Sequence, residues 1–290
     1  MITRRGFLKW GGVGAGALLL ESFVFEPRFI TVETVSVEIN GLSPGLDGFT
    51  ICQVSDVHHS PFVSLSYIEG VVEKASSLKP DLVVLTGDYI QGEKEYMAPA
   101  VKALSGIKSP RGTIAILGNH DYFTGVEYTR GVIASHGITL LENSHTIIEG
   151  KDGALCIAGT EDLLEGRPDA AASLEGVSTD VPRILLTHHP DYCEELPEGL
   201  RVDLALAGHT HGGQVRIPFS IAPVVPSRYG QKYSGGLVTL RRPGPPAPPG
   251  PHGPTRVYVT RGVGVVDIPV RFNCPPELTL VRLRAKRSEA

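Results

Sequence analysis

Five short apolar runs in this chain each end in a turn carrying carboxylate, imidazole or amide side chains. Phe49–Val54 runs into Asp56 and His58, and Leu82–Leu85 into Asp88. Thr113–Leu117 runs into Asn119, His120 and Asp121, Arg183–Leu186 into His188, and Val202–Ala207 into His209 and His211. Runs of four to six apolar residues between turn signals read as buried strands. Ligands of open α/β sheets gather at the carboxyl ends of the strands. An Asp after one strand is often only a helix cap, and a single His is often a satisfied core residue. Their recurrence after five strands argues for one shared site at one sheet edge.

Between these runs lie helical periods. Leu65–Leu78 places Ile68, Val71, Val72, Ala75 and Leu78 on one face, with Ser66 and Glu69 as a capping box. Pro80-Asp81 ends it. Further helices are expected over 96–104 and 126–135. Residues 29–39 alternate apolar and polar, as a half-buried strand near a sheet edge does. Additional strands are expected at 138–141, 145–149, 154–159, 236–240, 256–260 and 278–283. Pro243–Pro254 is dense in Pro and Gly and reads as an extended, mobile surface loop. No linker divides the chain beyond its N-terminus. The organisation expected is an N-terminal signal or anchor over 1–28 and one domain over 29–290.

Composition narrows the chemistry. A net charge of −4 argues against a general nucleic-acid binder, so none is expected as a partner. Four cysteines lie far apart with no Cys-x-x-Cys, which argues against a thiolate zinc site; Cys52 and Cys156 read as buried packing residues. Carboxylates, imidazoles and an amide suit a hard or borderline ion such as Mn, Fe or Zn. They are too many for one tetrahedral ion and enough for two. Two divalent metal ions would lower the pKa of a shared water and clamp a phosphoryl group.

The N-terminus adds a location. Thr3-Arg4-Arg5-Gly6-Phe7-Leu8-Lys9 precedes an apolar stretch from Trp10 to Leu20 and resembles a twin-arginine export signal. That stretch is short for a membrane span, and Glu21 interrupts it. No clear Ala-x-Ala follows, so the segment is either cut elsewhere or kept as an anchor. The export machinery is then a partner, and the expected place is the periplasm or cell envelope, at the outer face of the inner membrane if anchored.

The motif set Asp56-x-His58, Gly87-Asp88, Gly118-Asn119-His120-Asp121, His188-x-Pro190 and Gly208-His209-Thr210-His211 resembles that of the calcineurin-like metallophosphoesterases. The segments His211–Pro218, Arg261–Gly264 and Arg271–Glu277 are similar to the exported twin-arginine subgroup labelled YkuE or YaeI. The resemblance implies a four-layer αββα sandwich with two mixed β-sheets. It implies that Asp56, His58 and His211 hold one ion, that Asp88 bridges, and that Asn119, His188 and His209 hold the other. His120 would stay unliganded, contact the phosphate and help the leaving group depart.

Other residues keep two readings. His59 and His189 either ligate or line the pocket wall. Asp121 either orients His120, as a catalytic partner, or caps the following helix. Arg271 and Asn273, with Asn119 and His120, are candidate substrate contacts. Ile217, Phe219, Ile221, Val224 and Val225 either meet a lipid surface or pack beneath the rim of the site. The expected activity is that of a phosphodiesterase using a metal-bridging hydroxide for in-line attack. The alternatives are a pyrophosphatase on a nucleotide-linked lipid such as UDP-2,3-diacylglucosamine, and a non-enzymatic metal-binding envelope protein.

Overall fold

In the computed structural model, which describes residues 3–217, 221–240 and 253–286, each apolar run read as a strand forms one. The chain opens with helix α1 (Arg4–Leu20) and strands β1 (Thr31–Ile39) and β2 (Thr50–Val54). Helix α2 (Leu65–Ser77), β3 (Leu82–Thr86), α3 (Met97–Leu104) and β4 (Thr113–Ile116) follow. Then come α4 (Asn119–Phe123), α5 (Val126–Ser135), β5 (Thr139–Leu140), β6 (Ser144–Glu149) and β7 (Ala154–Gly159). The remainder is α6 (Ala170–Ser173), β8 (Arg183–Leu186), β9 (Leu204–Ala207), β10 (Gly236–Thr239), β11 (Arg256–Val259) and β12 (Glu277–Ala285).

The strands form two mixed six-stranded sheets, ordered β1-β12-β2-β3-β4-β5 and β10-β11-β9-β8-β7-β6. Strands β2 to β5 run parallel in the first, and β7, β8, β9 and β11 in the second. Because these strands run parallel, joined by crossover connections, their carboxyl ends come to one edge. Strand β1 lies at an edge, as its alternation predicts, but pairs in parallel with the last strand, from Thr31↔Glu277 to Ile39↔Ala285.

Three apolar clusters separate the layers. Ile51, Val84 and Ile116 of the first sheet meet Ile157, Leu186 and Leu206 of the second in the central one. On the outer face of the first sheet, Cys52, Val83 and Ala115 pack under Ile68, Val71, Leu104 and Ile133 of α2, α3 and α5. Leu185, Ala205 and Val257 of the second sheet pack under α6 and irregular turns. The central strands β2, β3, β4, β8 and β9 therefore bury both faces, which explains their nearly continuous apolar runs. All four cysteines are buried and free.

One expectation shifts. Helix α2 is capped by Ser64, whose hydroxyl accepts the Tyr67 N–H at 3.3 Å, not by Ser66 with Glu69. Helix α4 starts within the third motif, with no polar spacer to announce it. Ahead of residue 29, Ser22 and Glu26 are buried, and the Glu26 carboxylate accepts the backbone N–H groups of Asn273 and Cys274. No helix among the described residues is long and apolar enough to cross a membrane. Most of the Pro243–Pro254 loop, with His252, and residues 218–220, with Phe219, lie outside the described residues.

Candidate metal centre

The turns after the strands carry unusual backbone. Asp56, His58, Asp88, His209 and His211 have φ of 54°, 49°, 57°, 68° and 51°. Left-handed backbone is uncommon without glycine and concentrates at functional sites, where surrounding structure holds it. Here the holding bonds are cross-strand: Asp56 N–H donates to Gly87 O at 3.0 Å, His58 N–H to Asp88 O at 3.1 Å and Gly208 N–H to His188 O at 3.0 Å. Two of the motif glycines supply room. A Cβ on Gly208 would collide with Ser55 Oγ and Asp56 Oδ2, and one on Gly118 with Asp88 Oδ1.

Three groups of side chains each bring ligand atoms within 4.8 Å of one another: Asp56, His58 and His211; His58, Asp88 and His120; Asp88, His188 and His209. Asp88 Oδ2 lies 3.5 Å from His58 Nε2 and 3.2 Å from His188 Nε2, between the first and last groups. His211 Nε2 lies 3.3 Å from Asp56 Oδ1, and Asn119 Oδ1 lies 3.2 Å from His209 Nδ1. His209 and His211, separated by Thr210, thus fall in different groups, and both have left-handed backbone.

The donors fit divalent cations. His58 Nε2 and His211 Nε2 face each other at 3.0 Å while burial holds both imidazoles neutral, His58 down to about 3 and His211 well below the ordinary histidine value. Between them they can share one proton at most, whereas an ion uses both lone pairs. Asp56 Oδ2 is buried without a hydrogen-bond partner. His188 Nδ1–H donates to Thr86 O at 2.8 Å, which aims Nε2 at Asp88. Burial disfavours charge on Asp88 and His188, but each outweighs it for the other. Asp88 is held well below the carboxylate range and His188 well above the histidine range.

The remaining candidates separate. Asp121 is fully buried, and its carboxylate accepts the N–H groups of Asp88 (2.8 Å), Tyr89 (2.9 Å) and Gly118 (2.9 Å). It caps α4 and ties it to the Asp88 turn; the His120 ring is not among its hydrogen-bond partners. Arg271 is not available to substrate. Its guanidinium is buried and spent on the carbonyls of Arg261, Gly262, Gly264 and Cys274. Asn273 is exposed and contributes its backbone N–H to Glu26 Oε2 at 2.9 Å. His59 Nδ1–H donates to Val63 O at 2.7 Å, and the His189 ring packs on His209 at 4.0 Å, so both are wall residues. His136 and His145 bond the carbonyls of Val132 and Ser173, away from the site.

One supporting segment had a motif but no assigned role. Val263 and Gly264 donate N–H to Ser55 O (3.0 Å) and Asp56 O (2.8 Å), closing the back of the Asp56 turn. Its glycines, Gly262 and Gly264, were the available signal.

A family model of calcineurin-like phosphoesterases matches residues 49–213. The chain is 32% identical over 295 residues to a metallophosphoesterase of Bacillus subtilis named YkuE, covering 98% of each chain. It is 34% identical over 242 residues to the phosphodiesterase YaeI of Escherichia coli, covering 81% of this chain and 82% of that one. Among solved structures, the NAD nucleotidase of Haemophilus influenzae shares the fold with a TM-score of 0.51 at 15% identity, over 74% of this chain and 45% of that one. Motifs, paired ligand groups and matches agree: the chain belongs to the calcineurin-like phosphoesterase family and is a metal-dependent phosphoester hydrolase.

Proposed function

We propose that this chain is an exported phosphodiesterase working with two divalent ions, Mn, Fe or Zn. The observation that carries the proposal is Asp88, shared between the Asp56–His58–His211 group and the His188–His209 group. Asp56, His58 and His211 would hold the first ion, Asn119, His188 and His209 the second, with Asp88 between. Bound there, two such ions would supply an acidified water and charge neutralisation for a phosphoryl group. His120 is half-buried, and its N–H donates to Asp88 Oδ1 at 2.9 Å, which fixes it beside the bridging carboxylate. There it would contact the phosphate and protonate the leaving oxygen. Asp121 acts as a positioning residue, through the N–H groups of Asp88 and Gly118.

Hydrolysis of bis-p-nitrophenyl phosphate with added Mn, Fe or Zn tests this. His120→Ala should lower kcat by roughly 10²–10⁴-fold, and Asp88→Asn should remove both activity and bound metal. Full activity in either variant, or in metal-stripped protein, would sink the proposal.

A lipid-linked phosphodiester or pyrophosphate is favoured as substrate by the apolar rim. Ile217, Ile221 and Val224 are exposed in the loop after His211, not packed beneath it. A cavity of about 270 Å³ next to the His58 loop is lined by Phe23, Pro61, Phe62, Val263 and Val265, with Arg28 at hand. Helix α1 exposes Trp10, Leu18, Leu19 and Leu20, as a surface anchor would, and its Arg4-Arg5 pair supports twin-arginine export to the envelope. UMP release from UDP-2,3-diacylglucosamine in mixed vesicles would favour the pyrophosphate; release only from simple phosphodiesters would favour the broader activity.

A further inference from the structure

The segment joining α1 to β1 is bonded into the back of the metal centre. Glu26 is buried, and its two carboxylate oxygens accept the backbone N–H groups of Asn273 and Cys274. The Ser22 carbonyl accepts the Arg271 N–H at 2.9 Å. Residues 271–274 are in turn stitched to two ligand turns. On one side Phe272 exchanges backbone bonds with Gln214 (2.9 Å) and Arg216 (2.8 Å), and Cys274 Sγ lies 3.4 Å from His211 O. On the other, the Arg271 guanidinium gathers the carbonyls of Arg261, Gly262 and Gly264, the segment that closes the Asp56 turn. Asp56 and His211 belong to the same ligand group. A carboxylate receiving two backbone N–H groups is a strong, geometrically defined tie.

We propose that Glu26 is a positioning residue for the Asp56–His58–His211 group, so that Ser22–Arg28 stays on the working enzyme and any N-terminal processing ends before Ser22. This rests on the dinuclear reading above. The segment is then a strut of the site as well as the stem of whatever α1 does at the envelope. A cut after residue 28 would remove both Glu26 and the Ser22 carbonyl.

The test uses full-length protein: wild type, Glu26→Ala, Glu26→Asp and, as a neighbouring control, the exposed Phe25→Ala. Metal per chain is measured after dialysis, and Mn activation of bis-p-nitrophenyl phosphate hydrolysis is titrated. Glu26→Ala should keep one ion where wild type keeps two, and need about 10–100-fold more Mn for half-activation. Its kcat at saturating Mn should approach wild type. Glu26→Asp should recover most of the affinity, and Phe25→Ala should match wild type. Two tightly held ions and unchanged activation in Glu26→Ala would overturn the proposal. Should that variant not fold, the intact mass of the native protein decides: a first residue at or before Ser22 supports the strut, and one beyond Ser22 overturns it. A wild type without metal or hydrolysis would instead sink the dinuclear reading.

Discussion

Asp56 shows how one side chain couples metal, proton and stability. It is fully buried, its Oδ1 accepts the His209 N–H at 2.8 Å, and its Oδ2 is free of hydrogen bonds. Burial, opposed by His188 and reinforced by Asp88, raises its pKa to about 6. A carboxyl raised on folding is costlier to ionise in the fold than in the unfolded chain. In the metal-free protein this carboxyl therefore contributes a loss of stability as pH rises from about 4 through about 6. A bound ion restores it above that window, while below it protons compete for the ligand. Chelation should lower the Tm markedly near neutral pH and little near pH 5; equal shifts at both would contradict this. Gly208→Ala offers a second test. Its Cβ would collide with Asp56 Oδ2, so metal affinity should fall at least about tenfold by calorimetric titration. At this scale the sequence was informative about residue type and poor about availability. An Arg and an Asn after a glycine-rich motif look like anion contacts, yet the Arg271 guanidinium is consumed by carbonyls, while the exposed Asn273 also gives its backbone N–H to Glu26.

Elements were legible where their signals were local. Helix α2 has a clean apolar face, and its length is read to within a residue. Its cap is ambiguous in the sequence because Ser64 and Ser66 both precede the apolar face, and in the fold it is Ser64 that accepts the Tyr67 N–H. Ser64→Ala should cost about 1 kcal/mol in urea unfolding, leaving metal content unchanged. Ser66→Ala should cost distinctly less; the reverse order would restore the Ser66 capping box. Helix α4 could not be read, since its five residues coincide with Asn119, His120 and Asp121, whose side chains serve the site and its supporting turn. Its cap, Asp121, spends its carboxylate on two turns at once, which a cap read from sequence cannot reveal.

The whole molecule makes the site by closing two sheets on each other. Asp56, His58, Asp88 and Asn119 come from the first sheet, and His188, His209 and His211 from the second. The apolar seam between the sheets therefore sets ligand spacing. Leu206→Ala in the seam and Leu104→Ala on the inner face of the outer helix α3 should each cost roughly 2–5 kcal/mol in stability. Only Leu206→Ala should also weaken metal binding, measured as the Mn concentration for half-activation. Equal metal affinity in both variants would show that the seam does not govern the site.

The sequence by itself determined the strands, their apolar faces and the polar residues at their ends, because these are patterns within a few residues of chain. Tertiary structure decided what those ends meet. His58 and His211 stand 153 residues apart and 3.0 Å from one another, and β1 finds its partner in the last strand. Which strands neighbour, which arginine is buried and which carboxylate ahead of β1 is bonded to residues 273 and 274 depend on long-range packing. No local period records it, since burial and hydrogen-bond partners are properties of the closed fold.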